Sequence, residues 1–192
     1  MKFLKFAIGS IALATMAAPA VAQSVDSGNE FIEAVRARDG NKATEVLSAH
    51  PNVIDAKDGK GDTALVIAVG RSDDDYTAFL LSKGADPNKP GNGGNTPLIT
   101  AARNGFGQAV AWLLGQGAKV DGTNKMGETA LIVAVQQRQT AVVRALLAAG
   151  ANPDKTDNAA GYSARDYAER DNRSRDILKI IEATKPKPAA AR

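Results

Sequence analysis

The sequence predicts a mainly α-helical solenoid of stacked helix–turn–helix units, because two separate motifs return at a nearly constant interval. The tripeptide Gly-x-Thr, or Gly-x-Ser in the last copy, starts at Gly61, Gly94, Gly127 and Gly161. The hexapeptide Leu-Leu-x-x-Gly-Ala starts at Leu80, Leu113 and Leu146, and it returns at the same interval. Two motifs that keep the same phase define a tandem repeat, and a period of about 33 residues is typical of a solenoid.

Each repeat carries start and stop signals for two helices. The first helix is expected to begin after a hydroxyl residue whose oxygen accepts from early backbone N–H groups. These residues are Thr63, Thr96, Thr129 and Ser163. Pro97 follows one of them, and proline is tolerated at the first helical position. The second helix is expected to end before a glycine in a left-handed cap. These glycines are Gly84, Gly117 and Gly150.

The composition excludes several classes of function. The 192 residues include no cysteine, which excludes disulfides, a cysteine nucleophile and cysteine-bound zinc. His50 is the single histidine, so one chain cannot build a multi-histidine metal site. The 24 basic and 21 acidic residues are too balanced for the clustered positive charge of a nucleic-acid-binding surface. We therefore expect no nucleic-acid partner, no metal and no cofactor.

Residues 1–22 are predicted to be a signal peptide. Lys2 and Lys5 precede an apolar stretch, and Ala20-Val21-Ala22 fits the small-x-small rule for cleavage before Gln23. The apolar stretch is shorter than the roughly 20 residues that span a bilayer, although an uncleaved anchor is the alternative. Cleavage would leave residues 23–192 in the periplasm or outside the cell. Loss of the two lysines would lower the formal net charge from +3 to +1.

The repeated residues resemble the ankyrin-repeat pattern Gly-x-Thr-Ala/Pro-Leu-x-x-Ala followed by Leu-Leu-x-x-Gly-Ala. The resemblance implies helix pairs joined by β-hairpin fingers, and a concave face lined by the fingers and the first helices. It divides the chain into about five repeats, with an N-terminal capping repeat at 23–57, three ankyrin repeats at 58–157 and a C-terminal capping repeat at 158–184. The Lys/Pro tail at 185–192 has no apolar anchor and is predicted to be disordered.

The sequence departs from the family pattern at two places. The family often has histidine two residues after the proline, whereas this chain has Val66, Ile99 and Ile132, so apolar packing is expected there instead of a polar network. In the last repeat Arg165 replaces the leucine of the earlier copies. A charged residue there fits a terminal repeat whose outer face meets water.

Four features could carry chemistry, and each has a simpler interpretation. His50 could sense pH or contact a partner, but a lone histidine lacks the neighbours that catalysis needs. The three aspartates at 73–75 could hold a divalent cation, but their position favours capping of the second helix. The glycine-rich segment 91–95 could cradle a phosphate, but the repeat register makes it a finger. Trp112 is predicted to lie in the core, with a surface anchor as the alternative.

The predicted binding residues lie on the fingers and at the ends of the first helices. On the fingers they are Lys60, Asp62, Asn92, Asn95, Lys125, Met126, Glu128 and Tyr162. At the helix ends they are Arg71, Arg103, Asn104, Gln136, Gln137 and Arg170. By the resemblance, these are the positions that ankyrin proteins vary to select partners. Methionine and tyrosine are enriched at protein interfaces.

The sequence therefore favours a monomeric, periplasmic protein that binds another protein as an accessory or scaffold for an envelope component. A repeat solenoid presents a long, stiff surface and no deep polar pocket. Two alternatives remain at this point. One is a structural envelope component that binds peptidoglycan or lipid. The other is an enzyme, for which the sequence shows no nucleophile with a paired base, no metal cluster and no cofactor loop.

Overall fold

The computed structural model describes residues 20–184. The predicted signal peptide therefore lies outside the described residues except for its last three positions, and the tail at 185–192 lies wholly outside them. The described part of the chain forms ten α-helices. They are α1 (Ala20–Ala37), α2 (Gly40–Ala49), α3 (Ala64–Gly70), α4 (Asp74–Ser82), α5 (Pro97–Asn104), α6 (Gly107–Gly115), α7 (Ala130–Gln136), α8 (Thr140–Ala148), α9 (Ala164–Arg170) and α10 (Arg175–Ala183). Short 3₁₀ turns occupy Pro51–Asp55, Asn92–Gly94 and Asn172–Ser174.

The helices pair within each repeat and stack in two layers. The first helices α1, α3, α5, α7 and α9 contact one another in this order, and the second helices α4, α6, α8 and α10 do the same. Each first helix also packs against the second helix of its own repeat. The stacked helix–turn–helix solenoid that the repeat period predicts is confirmed.

The fingers connect each second helix to the next first helix, and they pair more sparsely than β-hairpins do. Single antiparallel bridges join Lys57 to Thr63, Thr123 to Thr129 and Thr156 to Ser163, and no longer strand forms within residues 20–184. We define the fingers as residues 57–63, 90–96, 123–129 and 156–163. Each is too short for a ladder, so turn hydrogen bonds hold it instead.

The predicted helix caps are all present. The side-chain oxygens of Thr63, Thr96, Thr129 and Ser163 accept hydrogen bonds from the N–H groups three residues ahead. Pro97 takes the first position of α5. The glycines after α4, α6 and α8 have φ values of 86°, 84° and 89°, which is the left-handed region that favours glycine. The sequence signals therefore place both ends of each repeat unit.

The core consists of leucines, valines and alanines that recur in register. Leu65, Leu98 and Leu131 on the first helices are at most 1% exposed, as are their counterparts on the second helices. Burial of one such side chain contributes about 1.5–3 kcal/mol. Ile99 and Ile132 are also fully buried, which confirms that apolar packing replaces the family's histidine. Trp112 is only half-buried and packs against the edge of this core.

A ladder of side-chain caps links successive repeats on the loops that follow the second helices. Asp55, Asn88 and Asp121 occupy equivalent positions of three successive repeats. Each accepts a hydrogen bond from a backbone N–H group of the next repeat, at 3.0, 2.7 and 3.0 Å respectively. We call these three residues the loop ladder. Each rung ties one repeat to the next, so the ladder adds polar contacts to a stack otherwise held by apolar packing.

Asp154 occupies the next equivalent position after the loop ladder, but its side chain has a different partner. Here the Nε atom of Arg165 donates to Asp154 Oδ1 at 2.7 Å. Arg165 stands where earlier repeats have a buried leucine, and in the last repeat its guanidinium pairs with the Asp154 carboxylate. The interpretation of Arg165 as an end-capping residue therefore gains a specific partner.

Candidate partner-binding face

In three of the four fingers, an aspartate or asparagine near the start of the finger holds the turn by hydrogen bonds. Asp58, Asn124 and Asp157 occupy the same position in their fingers, and one side-chain oxygen of each accepts from nearby backbone N–H groups further along the finger. The backbone N–H of each also donates to the far side of its own finger. Such Asx turns fix the tip of a short loop. An aspartate or asparagine recurs at this position of the repeat, but the sequence analysis above does not identify these residues as turn-forming.

The second finger lacks the Asx residue, since Gly91 takes its position. The carboxylate of Asp62, from the finger before it, reaches across instead. Asp62 Oδ1 accepts a hydrogen bond from the backbone N–H of Asn92 at 2.8 Å. The second finger is therefore capped by its neighbour, and the first two fingers are tied together.

Further hydrogen bonds join the remaining fingers side by side. The backbone N–H of Lys125 donates to the Gly93 carbonyl at 3.0 Å, and that of Asn158 donates to the Met126 carbonyl at 2.8 Å. Gly93 and Gly94 have φ values of 66° and 77°, which lets the second finger turn tightly beneath the third. The four fingers therefore form one connected edge.

A groove runs between this edge and the ends of the first helices. It consists of two adjoining hollows of about 400 and 350 Å³, which share Gly93, Asn95 and Arg103. The first hollow lies between α3 and α5, and the second lies between α5 and α7. Asp62 and Asn92 line one end, whereas Glu128, Gln136 and Gln137 line the other. We call this surface the groove.

Asn95 organises the centre of the groove. Its Oδ1 atom accepts from Arg103 Nη2 at 3.1 Å and from Asn124 Nδ2 at 3.2 Å, while its Nδ2 atom donates to the Asn92 carbonyl at 2.9 Å. Asn124 Nδ2 also donates to Glu128 Oε2 at 2.7 Å. The guanidinium of Arg103 is thus oriented by one neutral amide and is paired with no carboxylate in the described residues. A positive charge held in this way can bind an acceptor on a partner.

The structure brings most of the predicted binding residues into the groove. Its lining includes Asp62, Asn92, Asn95, Arg103, Lys125, Met126, Glu128, Gln136 and Gln137. Met126 lies at the rim and is 51% exposed. Among the described residues it is the single large hydrophobic side chain that is exposed. Lys60 is exposed on the first finger but does not line the groove. These placements leave the binding role itself as a prediction.

Four predicted binding residues do not line the groove and contact other parts of the chain instead. Arg71 donates to the Arg36 carbonyl at 2.8 Å, and Asn104 Nδ2 donates to the Gly70 carbonyl at 2.9 Å. Each of these bonds joins neighbouring repeats. Arg170 lies over the ring of Tyr162, with its guanidinium carbon 4.4 Å from the ring centroid, and Tyr162 packs edge-on against a second tyrosine. These side chains stabilise the stack.

The other candidate features have structural explanations. The backbone N–H of His50 caps α2, and its side chain is exposed. Asp73 Oδ1 accepts from the Tyr76 N–H at 3.2 Å, which confirms the capping interpretation, and its other oxygen pairs with Arg38. The segment 91–95 forms the second finger, as the register predicts. Within residues 20–184, no group of three or more histidines or carboxylates has the geometry to hold a metal ion.

Two buried finger aspartates carry shifted acidities. Burial alone raises the pKa of Asp157, but hydrogen bonds from Tyr167 Oη at 2.6 Å and from the N–H groups of residues 159–161 outweigh it, so the net pKa lies below the usual range. The pKa of Asp58 is lowered in the same way. Burial raises the pKa of Asp58, but hydrogen bonds from backbone N–H groups and from the Arg36 guanidinium lower it by more, so the net pKa is lowered. Both carboxylates are therefore charged and structural near neutral pH.

Comparison with known proteins identifies the family. The family model described as ankyrin repeats (3 copies) matches residues 31–124 and 90–157, which is more than half of the chain. The chain belongs to the ankyrin-repeat family. Ankyrin repeats are protein–protein interaction modules and typically non-enzymatic binding scaffolds. A comparison with curated proteins gave no match.

In the part of the chain that the structure describes, no helix combines the length and apolar character needed to cross a bilayer.

Proposed function

We propose that this chain binds another protein through the groove and serves as an exported accessory or scaffold protein. The observation that carries the proposal is the convergence of the predicted residues on one continuous surface. Residues from three fingers and from the ends of three helices, far apart in sequence, line the same two hollows. A family whose members bind proteins supplies the class of partner.

The chemistry of the groove suits a folded or extended protein segment. Asp62 and Glu128 supply negative charge, Arg103 and Lys125 supply positive charge, and Met126 supplies an apolar contact at the rim. Interfaces combine apolar anchors with a polar surround in this manner. The fingers are already fixed by hydrogen bonds, so little conformational entropy is lost on binding.

The groove is tested by capture of partners from the periplasmic fraction of the source cells, with two charge-matched double variants of the full chain. The groove variant carries Arg103→Glu and Met126→Asp. The control carries Arg144→Glu and Ala141→Asp on exposed positions of α8, away from the groove. We expect the groove variant to lose at least about tenfold in affinity, as for an interface anchor, and the control to retain binding.

Thermal melts of both variants provide the folding control. The proposed function is wrong if the groove variant captures the same proteins as the unmodified chain while both remain folded. It is also wrong if the chain sediments with purified peptidoglycan or anionic vesicles and captures no protein.

The proposal of export rests on residues 1–22 and has its own test. Expression of the full chain in a Gram-negative cell, followed by fractionation and N-terminal sequencing, is expected to give a periplasmic product that begins at Gln23. A cytoplasmic product that begins at Met1 would refute export without bearing on the groove.

A further inference from the structure

The chain contains two Asn-Gly pairs, Asn92-Gly93 and Asn104-Gly105. Asparagine before glycine is the pair most prone to cyclise, because the glycine nitrogen can approach the asparagine side chain without obstruction from a β-carbon. The reaction needs a nucleophilic backbone nitrogen and a side-chain carbonyl carbon that can meet. The hydrogen bonds of each pair therefore decide which of the two reacts in the folded protein.

At the first pair, the surrounding backbone is hydrogen-bonded, but neither of the two reacting groups is. Asn92 and Gly93 are exposed at the tip of the second finger. In the described chain the Asn92 carboxamide forms no hydrogen bond, and the Gly93 N–H group has no acceptor.

At the second pair, both reacting groups are held. Asn104 is the last residue of α5, and its Nδ2 atom donates to the Gly70 carbonyl of the preceding repeat at 2.9 Å. The Gly105 N–H donates to the Ala102 carbonyl at 3.4 Å. Cyclisation here requires the helix end and an inter-repeat contact to open first.

From this contrast we infer that Asn92 is a site of spontaneous, non-enzymatic deamidation in the folded protein and that Asn104 is protected. Hydroxide removes the Gly93 amide proton, and the nitrogen attacks Asn92 Cγ. A new N–C bond closes a five-membered succinimide, while the carboxamide nitrogen leaves as ammonia after taking a proton from water. Water then opens the ring at either carbonyl, which gives aspartate or isoaspartate. Neither step consumes an oxidant or a reductant.

The products change the groove in two ways. Either one places a carboxylate at residue 92, beside Asp62, which already accepts the backbone N–H of that residue. Isoaspartate also reroutes the main chain through the β-carbon. This lengthening is incompatible with the turn in which Gly91 N–H donates to the Asn95 carbonyl and Asn95 N–H donates to the Asn92 carbonyl. Like charges and a loosened finger both follow, whether or not a partner binds.

The experiment is timed incubation of the purified full chain at neutral and mildly alkaline pH, followed by tryptic digestion under mildly acidic conditions and mass spectrometry. Cleavage after Arg103 separates the two pairs, since Asn92 falls in peptide 84–103 and Asn104 begins peptide 104–119. We expect deamidation at Asn92 to be at least about tenfold faster than at Asn104, because hydrogen bonds protect the latter. The rate should rise with pH, and a methyltransferase specific for isoaspartate should label peptide 84–103.

Two controls separate folding from sequence. In denaturant the two pairs should react at similar rates, since only the folded chain distinguishes them. The variant Asn92→Gln should abolish the modified form of peptide 84–103, because cyclisation of glutamine through its longer side chain is much slower. The inference is overturned by equal rates in the folded protein, by faster reaction at Asn104, by an unmodified Asn92, or by product that persists in Asn92→Gln.

Discussion

The carboxylate of Asp62 fills the space that a side chain at residue 91 would occupy. A β-carbon built on Gly91 collides with Asp62 Oδ1, and it also lies 2.9 Å from Val66 Cγ1. The same oxygen accepts the N–H of Asn92. The second finger has therefore exchanged the internal Asx cap of the other fingers for a cap supplied by the finger before it, and glycine at 91 is the condition for that exchange.

We expect Gly91→Ala to destabilise the protein by about 1–3 kcal/mol, because the added methyl group overpacks this contact. Asp62→Ala removes the cap and is expected to cost about 1 kcal/mol. In the double variant the collision with the carboxylate disappears. The double variant should therefore lose less stability than the sum of the two single losses, by at least about 0.5 kcal/mol. Chemical denaturation of the four proteins measures this coupling, and strict additivity would contradict it.

Thr77 offers a stabilising substitution. The residue is fully buried in α4, and its hydroxyl oxygen has no hydrogen-bond partner in the described structure. Because an unsatisfied buried hydroxyl carries a desolvation cost, we expect Thr77→Val to raise the free energy of unfolding by about 1 kcal/mol.

Thr100→Val is the matched control for this substitution. The Thr100 hydroxyl donates to the Thr96 carbonyl at 3.1 Å, so its loss is expected to destabilise by about 0.5–1.5 kcal/mol. Denaturation midpoints that shift in the same direction for both variants would show that the missing partner at Thr77 does not control its energetics.

Asn88 is the rung of the loop ladder that makes two bonds to the next repeat. Its Oδ1 atom accepts from the Lys119 N–H at 2.7 Å, and its Nδ2 atom donates to the Gly117 carbonyl at 3.1 Å. We expect Asn88→Ala to cost about 1–3 kcal/mol, since two backbone groups lose their partners. Asn88→Asp keeps the acceptor alone, so its loss of stability should be smaller. An equal loss in both variants would argue against the acceptor as the main contribution.

Gly117 tests the left-handed cap after α6. A β-carbon there meets no atom within 4 Å, so any cost of substitution arises from its φ of 84° and not from crowding. We expect Gly117→Val to destabilise by about 1–3 kcal/mol. Gly115, which also has open surroundings but a helical backbone, provides the control. Replacement by alanine at 115 should be neutral or stabilising by up to about 1 kcal/mol. Similar melting temperatures for Gly117→Val and the unmodified chain would refute the cap.

The sequence predicted the elements that depend on one repeat and missed those that depend on two. The repeat period locates Thr63 or Gly117 within its own unit, and the cap that each forms follows from local backbone geometry. Arg71 and Asn104 also occupy predictable positions at helix ends, but their side chains reach carbonyls of the preceding repeat. That reach depends on the distance between neighbouring units, which the sequence pattern does not contain. The sequence therefore predicts only a binding role for these two residues, and their contacts between repeats come from the structure.

The same limit explains why the sequence predicts the fingers but not the hydrogen bonds that join one finger to the next. The repeated Asx position at 58, 124 and 157 was visible as a periodic residue type. The second finger has Gly91 at this position, and the reason is visible only in the structure, where Asp62 caps that finger. Asn95 and Arg103, in contrast, belong to one repeat, and the hydrogen bond between them joins a finger to the helix that follows it. The geometry of one repeat therefore predicts which residues face the concave side. The hydrogen bonds between repeats within the groove follow only from the stacked structure.

The last finger is expected to make stability sensitive to acid through one tyrosine. Tyr167 Oη donates to the buried carboxylate of Asp157, and this bond lowers the pKa of Asp157 against the effect of burial. A lowered carboxyl pKa contributes stability that is fully present above the ordinary aspartate value, near 4, and is lost as the pH falls through the lowered value. The same bond raises the pKa of Tyr167, with burial adding to the effect, so its contribution is lost only as the pH rises above the ordinary tyrosine value.

We expect Tyr167→Phe to destabilise by about 1.5–3 kcal/mol at pH 7, as for a hydrogen bond to a charged group. The difference between the variant and the unmodified chain should shrink as the pH falls below about 4, because protonation of Asp157 weakens the bond that the variant lacks. Urea denaturation across a range from acid to neutral pH measures both curves. A difference that stays constant over this range would show that the tyrosine does not act through the ionised carboxylate.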